Sequence, residues 1–254
     1  MRITLLGTGT SQGVPVITCD CNVCNSENMK DKRLRSSVMI EVDNQTLVID
    51  TGPDFRQQML REKVEKVDAV LFTHHHKDHV AGMDDIRAFN YKWKKEMPIY
   101  CTNLTEKALR KEFPYVFSEN QLLGTPQVKI NPIVNRSFKI NETNIIPIEA
   151  KHYMMPIFGF RINSFVYLTD VSYISDKEKE KMRGADVIVL DALRKEEHVS
   201  HFNLQQALDL LEELNPKQAL LTHISHYMGL HNNVNNELPK NIKLAYDGQQ
   251  ITLR

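Results

Sequence analysis

Between Thr73 and His79 the chain reads Thr-His-His-His-Lys-Asp-His, four imidazoles and a carboxylate within seven residues. Immediately before it, Val67-Asp68-Ala69-Val70-Leu71-Phe72 is a short, nearly continuous apolar run of the kind that forms a buried strand. The histidines therefore stand at a strand's C-terminal end. In extended backbone the side-chain period is two, so His74 and His76 face one side and His75 the other. His74 and His76 can then share one metal ion, whereas His75 is expected to be a surface or hydrogen-bonded residue. Asp78 and His79 follow where the chain turns toward Val80-Ala81-Gly82, and reach the same place from a second direction. Neutral imidazole with anionic oxygen is a donor set for zinc, manganese or iron.

This H-x-H-x-D-H pattern resembles the signature of the metallo-β-lactamase-fold hydrolases. The resemblance implies further ligands at the ends of later strands: a histidine in mid-chain, then an aspartate, then a last histidine. His152 follows Ile145-Ile146-Pro147-Ile148-Glu149, Asp170 follows Val166-Tyr167-Leu168-Thr169, and His223 follows Ala219-Leu220-Leu221-Thr222. The implied centre has His74, His76 and His152 on one divalent ion, Asp78, His79 and His223 on the other, and Asp170 between them. Two such ions, manganese or zinc, activate a bridging water and clamp substrate oxygens, which is chemistry for hydrolysis. Asp78 is thereby placed among the catalytic residues. Asp50, at the end of Gln45-Thr46-Leu47-Val48-Ile49, reads either as a carboxylate that orients a ligand histidine or as a turn residue.

A second cluster lies near the N-terminus. Cys19-Asp20-Cys21-Asn22-Val23-Cys24 puts three thiols in six residues, too dense for separate core cysteines and poorly matched to a disulfide framework. A closed tetrahedral zinc site needs a fourth ligand, and His226, three residues beyond His223, is the candidate. Cys19, Cys21, Cys24 and His226 would then form a structural zinc site, the alternative being three reduced thiols. Cys101, on an apolar segment, reads as core.

The elements that must position these groups alternate strands with helices. Strands are predicted at Arg2 to Gly7, Ser37 to Val42 and Gln45 to Asp50, the last two joined by Asp43-Asn44, and a helix from Pro53 to Lys63. Asp84 to Lys95 has helical spacing, Pro98 to Cys101 is a strand, and Leu104 to Phe113 is a helix capped by Thr105 or Asn103. Val128 to Ile133, Ser137 to Ile140, Asn144 to Glu149, Phe158 to Ile162 and Phe165 to Thr169 read as a second, locally paired sheet. Asp186 to Asp191 is a buried strand. Leu204 to Leu214 is a helix with Asn203 as cap and Gln206 three residues on, and Asn215-Pro216 ends it. Gln218 to Thr222, Ile242 to Tyr246 and a last strand through Leu253 follow, with a turn at Asp247-Gly248. Two such halves suit an α/β fold, a four-layer α/β/β/α sandwich, over a single domain spanning residues 1–254.

Composition constrains partners. The 32 basic residues balance 32 acidic ones, so the chain lacks the electrostatic footprint of a dedicated nucleic-acid binder. Tyr91-Lys92-Trp93-Lys94-Lys95 is either a basic, aromatic contact to a nucleic-acid strand or a solvated helix face. No membrane-spanning stretch and no signal segment is legible, which points to the cytoplasm. A homodimer is compatible with the sequence.

Gly7-Thr8-Gly9-Thr10-Ser11-Gln12-Gly13-Val14-Pro15, the cysteine cluster, Asp50-Thr51-Gly52-Pro53-Asp54-Phe55-Arg56 and Thr222-His223-Ile224-Ser225-His226 together resemble the phosphoribosyl cyclic phosphate phosphodiesterases, from Gly7 to Gly248. That branch implies a manganese-preferring dinuclear site beside a structural zinc, a small or cyclic phosphate ester as substrate, and a further catalytic histidine, matched here by His201. A weaker similarity links the chain to the tRNA 3′-end-processing endonucleases and to the zinc-bearing protein of pyrroloquinoline quinone synthesis. A small-ester phosphodiesterase, an RNA endonuclease and a non-catalytic metal-binding protein are therefore the three functional classes in view.

Overall fold

Along residues 1–120 and 123–253, which a computed structural model describes, the chain forms β1 (Arg2–Gly7), β2 (Ser37–Val42), β3 (Gln45–Ile49), α1 (Phe55–Arg61), β4 (Ala69–Leu71), α2 (Lys77–Val80), α3 (Arg87–Trp93), β5 (Met97–Cys101), α4 (Asn103–Glu112) and β6 (Val128–Pro132). β1, β2 and β3 pair antiparallel, and β4, β5 and β6 continue the sheet in parallel. Asp43 and Asn44, at φ 48° and 59°, supply the two left-handed residues of the β2–β3 hairpin, a conformation that Asp and Asn tolerate better than other side chains.

The second sheet holds β7 (Phe138–Ile140), β8 (Thr143–His152), β9 (Met155–Ile162), β10 (Phe165–Leu168) and β11 (Tyr173–Ile174). After α5 (Asp176–Lys179) it continues with β12 (Val187–Asp191), then α6 (Leu204–Leu214), β13 (Gln218–Thr222), α7 (His231–Glu237) and β14 (Ile242–Leu244). The strand order is β11-β8-β9-β10-β12-β13-β14, with β7 on β8. The last strand, β15 (Gln250–Thr252), returns antiparallel to β1.

Most buried apolar side chains fall in three layers. Ile40, Leu47, Phe160, Phe165, Val189 and Leu220 fill the space between the sheets. Phe55, Phe89 and Leu109 of α1, α3 and α4 cover the outer face of the first sheet, and Ala207, Leu211 and Val234 of α6 and α7 cover that of the second. This is the expected α/β/β/α sandwich. No helix among the described residues is long and apolar enough to cross a membrane.

Several local expectations are corrected. Val128 to Ile133 joins the first sheet as β6, from Met97↔Val128 to Cys101↔Pro132, because the crossover through α4 returns the chain parallel to β5. α4 is capped by Thr102, whose side chain accepts from Thr105 N at 3.2 Å, so neither Asn103 nor Thr105 is the cap. The segment from Asp84 to Lys95 begins as a 3₁₀ turn, Met83–Ile86, and ends at left-handed Lys94. The basic, aromatic stretch lies at the end of α3, with Trp93 Nε1 donating to Glu65 O and Lys92 Nζ 3.6 Å from Glu65. α7 was not anticipated, since His231-Asn232-Asn233-Val234-Asn235-Asn236-Glu237 buries only His231 and Val234 and so carries no apolar period. α6 matches its sequence signals: Asn203 accepts from Gln206 N, Gln206 Oε1 accepts from Asn203 N, and Asn215 takes the left-handed conformation after the helix.

A buried Arg33 ties the N-terminal loops to the last helix, donating from Nη1 to Thr8 Oγ1 at 2.9 Å and from Nη2 to His231 Nδ1 at 3.2 Å. His231 N donates to Asp31 at 2.7 Å. Burial, then the charges of Arg33 and Lys30, lower the His231 pKa to about 4 against the opposing pull of Asp31. A free imidazole titrates near 6.5, so between these values the unfolded chain binds more protons and stability rises with pH. The His231 contribution is complete above about pH 6.5 and is lost as pH falls toward 4. His231→Gln, whose Oε1 can still accept from Arg33, should flatten the fall of the urea midpoint between pH 6.5 and 4.5 relative to wild type. Identical slopes in the two proteins would overturn the assignment.

Candidate metal centre

Parallel strands send their C-terminal ends to one edge of a sheet, and the chemistry-bearing residues stand at such ends. Asp50 follows β3, Thr73 and His74 follow β4 closely, Asp170 follows β10, Asp191 closes β12 and His223 follows β13. The β8–β9 turn brings His152 to the same edge. Asp50, Asp170 and His223 have φ of 64°, 59° and 58°, left-handed values costly for residues with a Cβ. In each case the chain bends sharply as it leaves the sheet, and the side chain is buried there.

Donor atoms of Asp78, His79, Asp170 and His223 lie within 4.8 Å of one another, as do those of His152, Asp170 and His201, so Asp170 belongs to both sets. His79 Nε2 is 3.1 Å from Asp78 and 3.3 Å from Asp170, and His223 Nδ1 is 3.2 Å from Asp170. The rings of His74, His76 and His152 adjoin, with centroids 4.7, 5.0 and 5.6 Å apart. All seven residues expected at the centre thus meet at one edge. His74 and His76 join the cluster through their ring contacts with His152, whereas His75 makes no such contact with it.

Hydrogen bonds fix which nitrogens face the cluster. Asp50 accepts from Thr73 N at 2.9 Å, from Thr73 Oγ1 at 2.8 Å and from His79 Nδ1 at 2.7 Å, which makes it the orienting carboxylate rather than a free turn residue. His74 Nδ1 donates to Thr73 Oγ1 at 3.0 Å, and His152 Nδ1 donates to Ser200 O at 2.7 Å. The Nε2 atom of His74 is buried without a hydrogen-bond partner, and that of His79 lies against the carboxylates of Asp78 and Asp170. A buried polar atom left so is costly, and an unpartnered imidazole nitrogen beside buried carboxylates is what a divalent cation would satisfy. The residues fit a metal centre.

The electrostatics agree. Burial holds His74 well below the usual imidazole range and takes His223 down to about 3, so both are neutral donors. Burial alone would raise the Asp170 and Asp78 pKa values, but His223 and His79 outweigh it for Asp170, and His79 for Asp78, so both carboxyls stay ionised. Burial opposes charge on His79 too, yet Asp170, Asp78 and Asp50 together hold a proton on it. A cation arriving there would replace that proton.

His201 sits beside this cluster, its ring 4.6 Å from that of His152 and 4.8 Å from that of His223. Its Nδ1 donates to Asp191 Oδ2 at 3.0 Å, and Asp191, fully buried, also accepts from Val171 N at 3.0 Å. Burial works against charge on His201, but Asp191 outweighs it and brings the pKa to about 9. Sequence reasoning passed over Asp191. Its signal was the one that marks Asp170, an aspartate closing an apolar strand.

On the other flank, Cys19, Cys21 and Cys24 place their sulfurs 3.2, 3.4 and 3.5 Å from His226 Nδ1, and the four donors form one group. The Cys24 backbone N–H lowers the Cys21 thiol to about 6, against its burial, while burial raises Cys24 to about 11. Cys101 lies in the core under α4.

A model of the β-lactamase superfamily domain matches residues 45–224. Over its whole length the chain is 39% identical to a solved diphosphatase of the PhnP family, covering 98% of that chain with a TM-score of 0.93. It is also 37% identical over 256 residues to the octanoyltransferase of Porphyromonas gingivalis, but spans only 52% of that protein. Human tRNase Z, short form, shares 18% identity over the full length of both chains with a TM-score of 0.71, a likeness of fold alone. The extent of these matches, together with the edge cluster, places the chain in the β-lactamase superfamily of metal-dependent hydrolases, and within it in the PhnP family.

Proposed function

We propose that the chain is a phosphodiesterase of small or cyclic phosphate esters, of the phosphoribosyl cyclic phosphate type, working with two divalent ions, manganese or zinc. The observation that carries this reading is the edge cluster itself: Asp78, His79, Asp170 and His223 form one donor set, the rings of His74, His76 and His152 adjoin beside it, and the Asp191–His201 pair stands alongside. His74, His76 and His152 would hold one ion, Asp78, His79 and His223 the other, and Asp170 both. When bound, such ions supply an activated water at neutral pH and neutralise charge on the phosphoryl oxygens. Cys19, Cys21, Cys24 and His226 would hold a separate structural zinc.

The chain's own residues supply the rest. Asp50 keeps His79 in one tautomer and orientation. Asp191 engages Nδ1 of His201, which leaves Nε2–H to meet the departing alkoxide oxygen and give it a proton as the P–O bond breaks. The diphosphatase relative supports phosphate-ester chemistry. The stretch from Tyr91 to Lys95 gives little support to an RNA endonuclease, because α3 lies in the outer helical layer and not at the edge where the donors meet. The octanoyltransferase relative lends octanoyl transfer little support, since the chain spans only 52% of that protein.

Two sets of measurements test this. Asp170→Ala should abolish hydrolysis and release the paired ions while zinc stays with the cysteines; Cys21→Ala should lose that zinc and lower the melting temperature. Metal analysis showing equal loss of every ion in Asp170→Ala, in a folded protein, would sink the two-site assignment. His201→Ala should slow an alkyl diester by about a hundredfold or more yet spare an activated aryl ester, with Asp191→Asn following in milder form. Metal content should stay unchanged in both, and a loss of metal in His201→Ala would make His201 a ligand instead.

A further inference from the structure

A cleft of about 310 Å³ lies where α7 and the edge strand β14 meet the 3₁₀ turn Met29–Asp31. Its walls include Lys30 of that turn, His231 and Asn235 of α7, Lys243 of β14, and Tyr246 and Gln249 between β14 and β15. Among the described residues no aspartate or glutamate lines it, and none of its residues belongs to a donor group of the metal centre or of the cysteine cluster.

The groups that remain free to face the cleft are donors. Asn235 Oδ1 accepts from Leu244 N at 2.8 Å and Gln249 Oε1 accepts from Tyr246 N at 3.3 Å, so each amide has its oxygen engaged and its NH₂ left over. A guanidinium can only donate, so His231 Nδ1 accepts from Arg33 Nη2 and the neutral ring carries its proton on Nε2. The two lysines have neutral neighbours. Lys30 Nζ lies 4.6 Å from the centre of the Tyr246 ring, and Lys243 Nζ is 3.4 Å from Asn235 O.

Behind His231 stands a third cation. Arg33 is buried, yet its hydrogen bonds go to Thr8 Oγ1, Ala245 O and His231 Nδ1, none of them charged. The acids nearest to it are committed elsewhere: Asp31 accepts from His231 N and Ser26 Oγ, and Asp247 from Thr8 N, Thr8 Oγ1 and Leu34 N. A buried cation without a carboxylate in contact is costly, and an anion on the far side of His231 would offset that cost. Arg33 polarises the imidazole, whose Nε2–H carries the positive potential outward. Two ammonium groups, an imidazole N–H and two amide NH₂ groups, unopposed by an acid, match the oxygens of a dianion. The volume falls within the usual range of about 300–1,000 Å³ for a small-molecule site, enough for an oxyanion with a short organic group attached.

We propose that this cleft binds a phosphate dianion, free or at the end of a small monoester, as a second anion site separate from the metal centre. The assignment is independent of the reaction read for that centre. Calorimetric titration of Asp170→Ala with inorganic phosphate at constant ionic strength isolates the cleft, because that protein should lack the paired ions. One phosphate should bind, and adding Lys30→Gln or Lys243→Gln should weaken it by about tenfold. In the metal-loaded wild type, phosphate should raise the melting temperature by more than it does in Lys30→Gln or Lys243→Gln, which decides the matter alone if Asp170→Ala does not fold. Both lysine variants should turn over an activated aryl ester at the wild-type rate. Phosphate binding that is indifferent to both lysines, or absent from a folded Asp170→Ala, overturns the site. Glycerol 3-phosphate binding more tightly than inorganic phosphate assigns the cleft to a monoester, and equal or weaker binding assigns it to the free anion.

Discussion

A carboxylate as deeply buried as Asp170 is tolerable only where positive charge or several donors meet it. The described residues around it supply imidazoles and another carboxylate, with His79 carrying the proton that keeps the cluster from being a bare excess of negative charge. That proton sits among three acidic neighbours, Asp50, Asp78 and Asp170. The arrangement costs stability as it stands and becomes favourable once divalent cations share the oxygens. The rest of the fold can be read as the apparatus that forces these groups together against their preference for water.

The topology serves this end. In both sheets the strands that feed the centre run parallel where they meet it: β3 with β4 in the first, and β10, β12 and β13 in the second. Only parallel neighbours deliver successive C-terminal ends to one edge, and each needs a crossover, which is why helices cover both outer faces. The antiparallel hairpins β2–β3 and β8–β9 do a different task. They fix the sheets locally, and the tight β8–β9 turn carries His152 to the edge without a helix.

Much of this was legible in the sequence, for physical reasons that can be named. An apolar run ending in polar residues is visible without any knowledge of tertiary contacts, and the residues from His74 to His79 stand out that way; Asp170 and His223 end similar runs, but the family resemblance is what pointed to them. The Asn203–Gln206 pair at α6 depends on groups three residues apart and was equally plain. β6 was misplaced because a strand's sheet is decided by the path of its crossover, which composition does not encode. α7 escaped because it lacks an apolar face. The role of Asp191 was missed because its partner, His201, is ten residues away across a loop, and nothing local joins them.

The segment Thr222-His223-Ile224-Ser225-His226 joins the two donor groups by their shortest covalent path. His223 meets Asp170, and three residues later His226 meets the cysteines. Between them, Ile224 N donates to Thr8 O at 2.9 Å and Thr10 N donates to Ile224 O at 3.2 Å, which stitches this segment to the loop that leads into the cysteines. Ser36 adds a further tie, placing its hydroxyl 3.0 Å from Gly9 O and 3.2 Å from His223 Nδ1. A chain leaving a strand in a left-handed bend, as His223 does, has no regular hydrogen-bond ladder to hold it. The neighbouring loop supplies that restraint, and the loop's own apolar cluster, Val14, Val23 and Cys24, is small. Closing the four cysteine-side donors around one ion would anchor that loop and so fix the backbone from which His223 projects. The cysteine cluster thereby bears on the precision of the reactive centre without contributing an atom to it.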